Sequence, residues 1–317
     1  MFSGKEYIYE VNKEKSFSKA AKKLYISQPS LSTSIKRIEQ KIGCPIFDRG
    51  SHPIELTDCG RKYLQAAEEI MEIERNFTQY LSDLQQLKTG TLSVGGSNLY
   101  SSYVLPPLIT KYTKAYPQIT IHLLEDNSAQ LRNQLLAGDV DIIIDNISYD
   151  DTIFEKYSYK PEHLILAVPK HLSVNDKLQK YQLPSDSMMS GDFLKDSYSP
   201  VPMESFSQES FIMLKQENDT YTKGMELCRL AGFAPRILMQ LDQQVTAYNI
   251  TCSGMGICFV GDTLIRSTYP HPNINYYKLP AAQSSRNTYF YLKANRYVTY
   301  AISEFLKLIQ SEVSNRH

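Results

Sequence analysis

The sequence predicts three parts: a mainly α head of the winged helix-turn-helix type, one long linker helix, and a two-lobed α/β domain. Three observations predict them. Apolar residues keep helical spacing on both sides of a break near Ser27, an apolar stripe steps by three and four over residues 63–87, and short apolar strands alternate with amphipathic helices from residue 90 onward.

The head begins with a helix over 2–14, whose Phe2, Tyr7, Ile8 and Val11 form one apolar face. The next stretch, SFSKAAKKLYISQPSLSTSIKRIE, places Phe17, Ala20, Ala21 and Leu24 before a turn and Ile26, Leu31, Ile35 and Ile38 after it, so two short helices share a small core. The Ala20-Ala21 pair permits close approach. Ser27 can cap the second helix, and Pro29 falls in its first turn, where a missing N–H costs nothing. The face left outside carries Gln28, Ser30, Ser32, Thr33, Lys36 and Arg37: short hydrogen-bonding groups near the N-terminus, with cations further along. That combination suits contact with base edges in a major groove and a grip on phosphates, although a plain helical hairpin with a solvated face would also show it. The neighbouring segment favours the DNA reading. In CPIFDRGSHPIELTDCG, two short apolar runs flank a basic, glycine-bearing turn, predicting a two-stranded wing that brings Arg49 and His52 near the backbone or minor groove. Pro53 fits a strand edge.

The run AAKKLYISQPSLSTSIKRIEQKIGCPIFDR, followed by ELTDCG, resembles the winged helix-turn-helix of the LysR-type transcriptional regulators at about twenty positions in family order. The resemblance implies a double-stranded DNA operator as partner, contacted by Ser27, Gln28, Pro29, Ser30, Ser32, Thr33, Lys36, Arg37, Arg49 and His52. Thr33 and Ser34 stand where the family commonly has arginine and glutamine, so its base preference is not carried over.

Charge agrees locally rather than globally. The 317 residues have a formal net charge of +0, but residues 1–62 hold twelve basic and seven acidic side chains, a net of +5. No apolar run approaches the ~18 residues that span a bilayer, and the charged start MFSGKEYIYEVNKEKSF reads as neither signal peptide nor anchor. A cytoplasmic protein is expected. Five cysteines without a paired metal spacing fit reduced thiols, and no cofactor, metal site or catalytic constellation of Ser-His-Asp or Cys-His type is suggested.

From Asp58, with Thr57 as its cap, a long helix carries Tyr63, Ala66, Ile70, Ile73, Phe77, Tyr80, Leu84 and Leu87 at heptad steps. A lone helix would leave this stripe in water, so a homodimer through residues 58–87 is expected, with a tetramer as the further assembly; packing on the same chain's large domain is the alternative. Lys88-Thr89-Gly90 ends the helix as a hinge.

Beyond it, strands at 91–95, 119–124 and 140–145 alternate with helices at 103–116 and 129–137. Around Pro161 the chain is expected to cross into a second lobe with strands at 163–168, 211–214, 236–239 and 256–260 and helices at 220–231 and 243–252. It then returns through strands at 274–279 and 288–292 and a closing helix at 298–313. The segments LPPLITKYTKAYPQITIHLLE, LLAGDVDIII, LCRLAGFAPRI and SGMGICFV resemble the effector domain of the same family, a fold similar to periplasmic binding proteins. The expected division is 1–57 for DNA binding, 58–89 for linker and hinge, and 90–317 for effector binding, with lobe I at 90–161 and 267–317 and lobe II at 162–266.

Ligands of open α/β sheets bind beyond the carboxyl ends of the strands, at helix N-termini. Here those positions are Ser97, Asn98, Ser128 and Asn146 in one lobe and Asp219, Asp242 and Thr246 in the other; Ser97, Asn98, Ser128, Asn146, Asp219 and Thr246 form the expected effector set. Each would also serve as a simple cap or turn residue. No lysine or arginine stands in these loops by sequence, which argues against a polyanion and leaves a small carboxylate open. Cys228, Cys252 and Cys258 lie in helical or apolar strand sequence, where thiols are usually inert. The expected function is a LysR-type regulator whose DNA binding or bending is controlled by a small effector. A solute-binding protein or a cleft enzyme would use only the α/β half and would leave residues 1–87 unexplained.

Overall fold

The computed structural model describes residues 1–48, 50–51, 53–84 and 90–314. They divide into two compact units, residues 1–81 and 82–317.

In the first unit α1 (Lys5–Glu14), α2 (Phe17–Lys23) and α3 (Gln28–Ile42) enclose a core of Ile8, Val11, Ala20, Ala21, Leu31, Ile35 and Ile38. Both predicted caps form. Ser16 Oγ accepts from the Lys19 amide and Ser27 Oγ from the Ser30 amide. The turn between α2 and α3 closes as Tyr25 N–H donates to Lys22 and Ile26 N–H to Ala21, which puts Tyr25 in the left-handed region at φ 55°. Gly43 ends α3 in the same region. The wing is a pair of two-residue strands, β1 (Phe47–Asp48) and β2 (Glu55–Leu56), antiparallel with Phe47 opposite Leu56.

Helix α4 (Asp58–Leu84) is capped by Thr57, whose hydroxyl accepts from the Gly60 amide. Its stripe is not uniform. Tyr63 is buried with Leu64 and Ala67 in the head core, and its hydroxyl donates to the Met1 carbonyl, so Tyr63 is part of its own chain's head rather than of an intermolecular seam. Ile73, Phe77 and Tyr80, with Leu81, are exposed. Leu87 of the expected stripe lies outside the described residues. The expectation of five free thiols also fails in this unit. Cys44 and Cys59 are joined as a disulfide, because the chain turns back through the wing and brings their Cα atoms to 6.7 Å, a proximity that a separation of 15 residues does not reveal.

The second unit is built on one nine-stranded sheet. Its first half runs β4 (Ile119–Glu125), β3 (Gly90–Gly96), β5 (Ile142–Asp145), with all pairs parallel, flanked by α5 (Leu105–Ala115) and α6 (Ser128–Ala137). A single 16-residue strand, β6 (Phe154–Pro169), then carries the chain across the sheet. The crossing expected around Pro161 is made inside this one strand: Pro161 sits in β6 opposite Asn287, near the point where β6 changes partner strands. After short turns and α7 (Ser185–Ser190) come β7 (Ser210–Leu214), α8 (Asp219–Leu230), β8 (Arg236–Leu241), α9 (Gln244–Cys252), β9 (Ile257–Gly261) and α10 (Asp262–Thr268). Strand β7 pairs in parallel with both β8 and β9.

Strand β10 (Ile274–Lys278) corrects the expected return to lobe I. It pairs with residues 165–169 of β6 and so belongs to the second lobe, since Tyr276 and Tyr277 find their apolar surroundings there. The return is made by α11 (Ala281–Ser284) and β11 (Ser285–Lys293), which pairs with the first half of β6 and with β5, before α12 (Tyr300–Ser314) closes on the first lobe. Two strands, β6 and β11, therefore join the lobes. No described helix is long and apolar enough to cross a membrane.

Candidate functional sites: the winged head and the interlobe cavity

In the head, burial of Leu31, Ile35 and Ile38 fixes which side of α3 faces outward. Ser27, Gln28, Pro29, Ser30, Thr33, Lys36 and Arg37 are exposed together on that side, and Ser32 is half-buried. Ser27 has a second task, since its hydroxyl caps the helix. The free amides at this N-terminus favour an anion. Arg49 and His52, expected in the wing, lie outside the described residues.

The second unit holds a cavity of about 310 Å³ between its lobes. It opens where the geometry of open sheets places it, beyond the carboxyl ends of β3, β5, β7 and β8 and at the N-termini of α6, α8 and α9. Ser97, Ser128 and Asn146 of the expected set line it. Asn98, Asp219 and Thr246 do not. The Asn98 side chain donates to Glu125, Asp219 accepts from Arg286, and Thr246 is exposed on α9.

Among the walls that sequence reading missed are Tyr100, Asp145, Gln244 and Arg286. Tyr100 follows β3 in a π-helical turn and is 3 % exposed. Burial raises its phenol well above the ordinary range, so it is a neutral donor. Its hydroxyl and Gln244 Nε2 are buried atoms without a hydrogen-bond partner. Asp145 is also buried. Burial raises its carboxyl, while hydrogen bonds from Ser128, Tyr149 and the amides of Asn146 and Ile147 pull the other way. Arg286 corrects the absence of cations expected for these loops, and Lys215 also lines the cavity. The arginine was invisible to loop reading because it comes from β11. Burial works against its charge, but Glu162 and Asp219 outweigh this and hold it above its ordinary value. Its positive charge is therefore largely matched within the protein. Among the described residues no cluster of His, Cys, Asp and Glu could hold a metal ion.

Two family profiles match along the chain: a bacterial regulatory helix-turn-helix protein of the lysR family at residues 5–61, and a LysR substrate binding domain at residues 85–314. The chain belongs to the LysR family of transcriptional regulators. Among curated relatives, this LysR-type regulator is 28 % identical over 309 residues to the uncharacterized HTH-type transcriptional regulator YcgK of Bacillus subtilis, covering 96 % of this chain and 92 % of the relative. It is 25 % identical over 306 residues to a probable RuBisCO transcriptional regulator of Synechocystis, covering 95 % and 83 %. Full-length solved structures share its fold. A point variant of full-length OxyR from Pseudomonas aeruginosa superposes with a TM-score of 0.68 at 20 % identity, covering 98 % of this chain and 94 % of that one. CbnR complexed with its target DNA superposes with a TM-score of 0.63 at 19 % identity, covering 98 % and 99 %. These relatives are regulators, and the LysR-type regulator is a DNA-binding protein rather than an enzyme.

Proposed function

We propose that the exposed face of α3 reads the operator, with Gln28, Ser30, Ser32 and Thr33 toward base edges and Ser27, Pro29, Lys36 and Arg37 toward the backbone, and with Arg49 and His52 of the wing beside them. The observation that carries this reading is the sidedness of α3: Leu31, Ile35 and Ile38 are buried, while the polar set is exposed apart from the half-buried Ser32. Two such heads meet a two-fold operator if the chain dimerises, and the exposed Ile73, Phe77, Tyr80 and Leu81 supply an apolar stripe for that dimer, with a tetramer as the further assembly. The solved relative in complex with its target DNA supports the same use of the fold. Cytoplasmic residence accords with a DNA partner. The proposed division is 1–57 for the operator, 58–89 for dimerisation and hinge, and 90–317 for the effector, with β10 counted in lobe II.

The cavity takes a small monocarboxylate. Its volume is at the small end of ligand sites, and Tyr100 and Gln244 present donors that a carboxylate oxygen would satisfy, next to the first turns of α6 and α9. Arg286 is matched by Glu162 and Asp219 and Lys215 by Asp242 at 2.8 Å, so with Asp145 and Glu217 also on the walls the cavity does not suit a polyanion. Because the walls come from both lobes, such a ligand biases lobe closure through differential affinity, and with it the spacing of the paired heads.

The test is selection of genomic fragments by the purified full-length protein at moderate salt, followed by footprinting. A protected dyad of two half-sites is expected. Retention that is sequence-indifferent and lost with salt would overturn operator reading by α3.

A further inference from the structure

Cys228 and Cys258 are buried, and burial pushes each thiol up to about 12, where few thiolates form near neutrality. Cys44 and Cys59 differ on every count. They are bonded to each other, both are half-buried, and both belong to the head. Cys44 follows Gly43, the cap of α3, and Cys59 is the second residue of α4. The residues between them, 45–58, contain both strands of the wing. The bond thus closes a loop around the wing and ties the end of one helix to the start of the next.

The joint is also fastened without sulfur. The Thr57 amide donates to the Ile46 carbonyl at 2.9 Å, the Thr57 hydroxyl donates to the Pro45 carbonyl at 2.7 Å, and Glu39 accepts from the Ile46 amide at 2.8 Å. These contacts fasten the ends of the loop through backbone and side-chain groups other than the two sulfurs. A DNA-bound protein meets a pool of small thiols that reduces accessible disulfides unless the poise shifts. A half-buried pair in a preformed joint is suited to report that shift.

We propose that Cys44 and Cys59 form a reversible thiol–disulfide site that responds to low-molecular-weight disulfides and stiffens the wing when oxidised. The Cys59 thiolate, in the first turn of a 27-residue helix whose free amides favour an anionic sulfur, attacks a small disulfide RSSR and releases one thiolate RS⁻, which takes up a proton. The mixed disulfide on Cys59 is then attacked by the Cys44 thiolate, which displaces the second RS⁻. Two protein thiols and one RSSR give one protein disulfide and two RSH. The oxidation stands apart from the operator reading; only its consequence for DNA contact rests on it.

The experiment equilibrates the full-length protein in glutathione mixtures from fully reduced to fully oxidised, quenches with acid, alkylates under denaturing conditions and digests with trypsin. Cleavage after Lys41, Arg49 and Arg61 releases peptides 42–49 and 50–61, each with one of the two cysteines. The linked pair is expected to rise from under about a tenth to over about nine tenths across the series, while Cys228 and Cys258 stay alkylatable. Separate alkylated peptides in the most oxidised mixture would show that no bond forms, and a linked pair in the most reduced one would show a permanent staple; either overturns the switch. Hydrogen exchange at residues 47–56 is expected to slow at least about tenfold on oxidation, in the parent but not in Cys59→Ser. Equal rates in oxidised and reduced parent would overturn the effect on the wing.

Discussion

Arg286 on β11 and Glu162 on β6 are bonded across the two strands that join the lobes, with the guanidinium Nη2 and Nε at 2.6 and 2.7 Å from the same carboxylate oxygen. Both side chains are buried, and the other oxygen, Glu162 Oε1, has no partner. Arg286 also reaches Asp219 at 3.1 Å and Thr220 at 2.8 Å, at the start of α8, so one side chain connects the strands of the hinge to the second lobe.

Removal of one partner from a buried pair leaves an uncompensated charge, whereas removal of both does not. Arg286→Met is expected to destabilise the effector domain by about 3–5 kcal/mol in urea unfolding. The double variant Arg286→Met with Glu162→Met should recover more than about 1 kcal/mol of that loss. Strictly additive losses would show that the two groups do not interact as the geometry requires.

Asp262 lies beside this network, and burial together with Glu162 raises its carboxyl from 3.8 to about 6 in the folded protein. A raised acid stabilises the fold while protonated, so its contribution is fully present below pH 3.8 and is lost as pH rises through 6. The loss between about pH 4.5 and about pH 7.5 amounts to about 2 kcal/mol. Asp262→Asn keeps an acceptor for the His163 amide and cannot ionise. Relative to the parent, the variant should therefore gain about that much between the two pH values. A stability difference that stays flat with pH would contradict the assignment.

Gly60, in the first turn of α4, lies so close to the Ile46 carbonyl that a Cβ there would overlap it. The carbonyl is backbone, already engaged by Thr57, and cannot yield as a flexible side chain would. Gly60→Ala is expected to cost the head about 2–4 kcal/mol by displacing the wing joint from α4. A head transition within about 1 °C of the parent's would be inconsistent with that contact.

Sequence periodicity located the head well because its core is local: Ile8 through Ile38 are packed within three consecutive helices. It located the strand ends that form the cavity for the same reason, since each lies where an apolar run meets a helix cap. It could not place Arg286, whose partners are 124 and 67 residues away, nor the allegiance of β10, which is decided by pairing with β6 rather than by its own pattern. Tyr63 carries a heptad spacing but is taken up by the head core. A stripe fixes which side of a helix is apolar and says nothing of where one partner ends and the next begins.

The part of α4 that remains exposed can be tested by charge. Ile73→Glu with Phe77→Glu places two carboxylates within the stripe, a change that a solvent-facing helix accepts and an apolar seam does not. Sedimentation is expected to show the dimer lost, with the head's own melting unchanged because neither residue belongs to its core. A variant with the parent's mass would assign the dimer to another surface.

Tyr100 separates folding from ligand binding. A buried hydroxyl without a partner costs the apo protein about 1–3 kcal/mol, and a ligand oxygen that meets it recovers that cost. Tyr100→Phe should therefore leave the melting temperature of the free protein equal to the parent's or higher, while a small carboxylate that raises the parent's melting temperature loses about tenfold in affinity for the variant. The two readouts move in opposite directions only if the hydroxyl faces the ligand. A variant that melts earlier and binds the carboxylate as the parent does would place the hydroxyl in the packing of the first lobe and out of the cavity's chemistry.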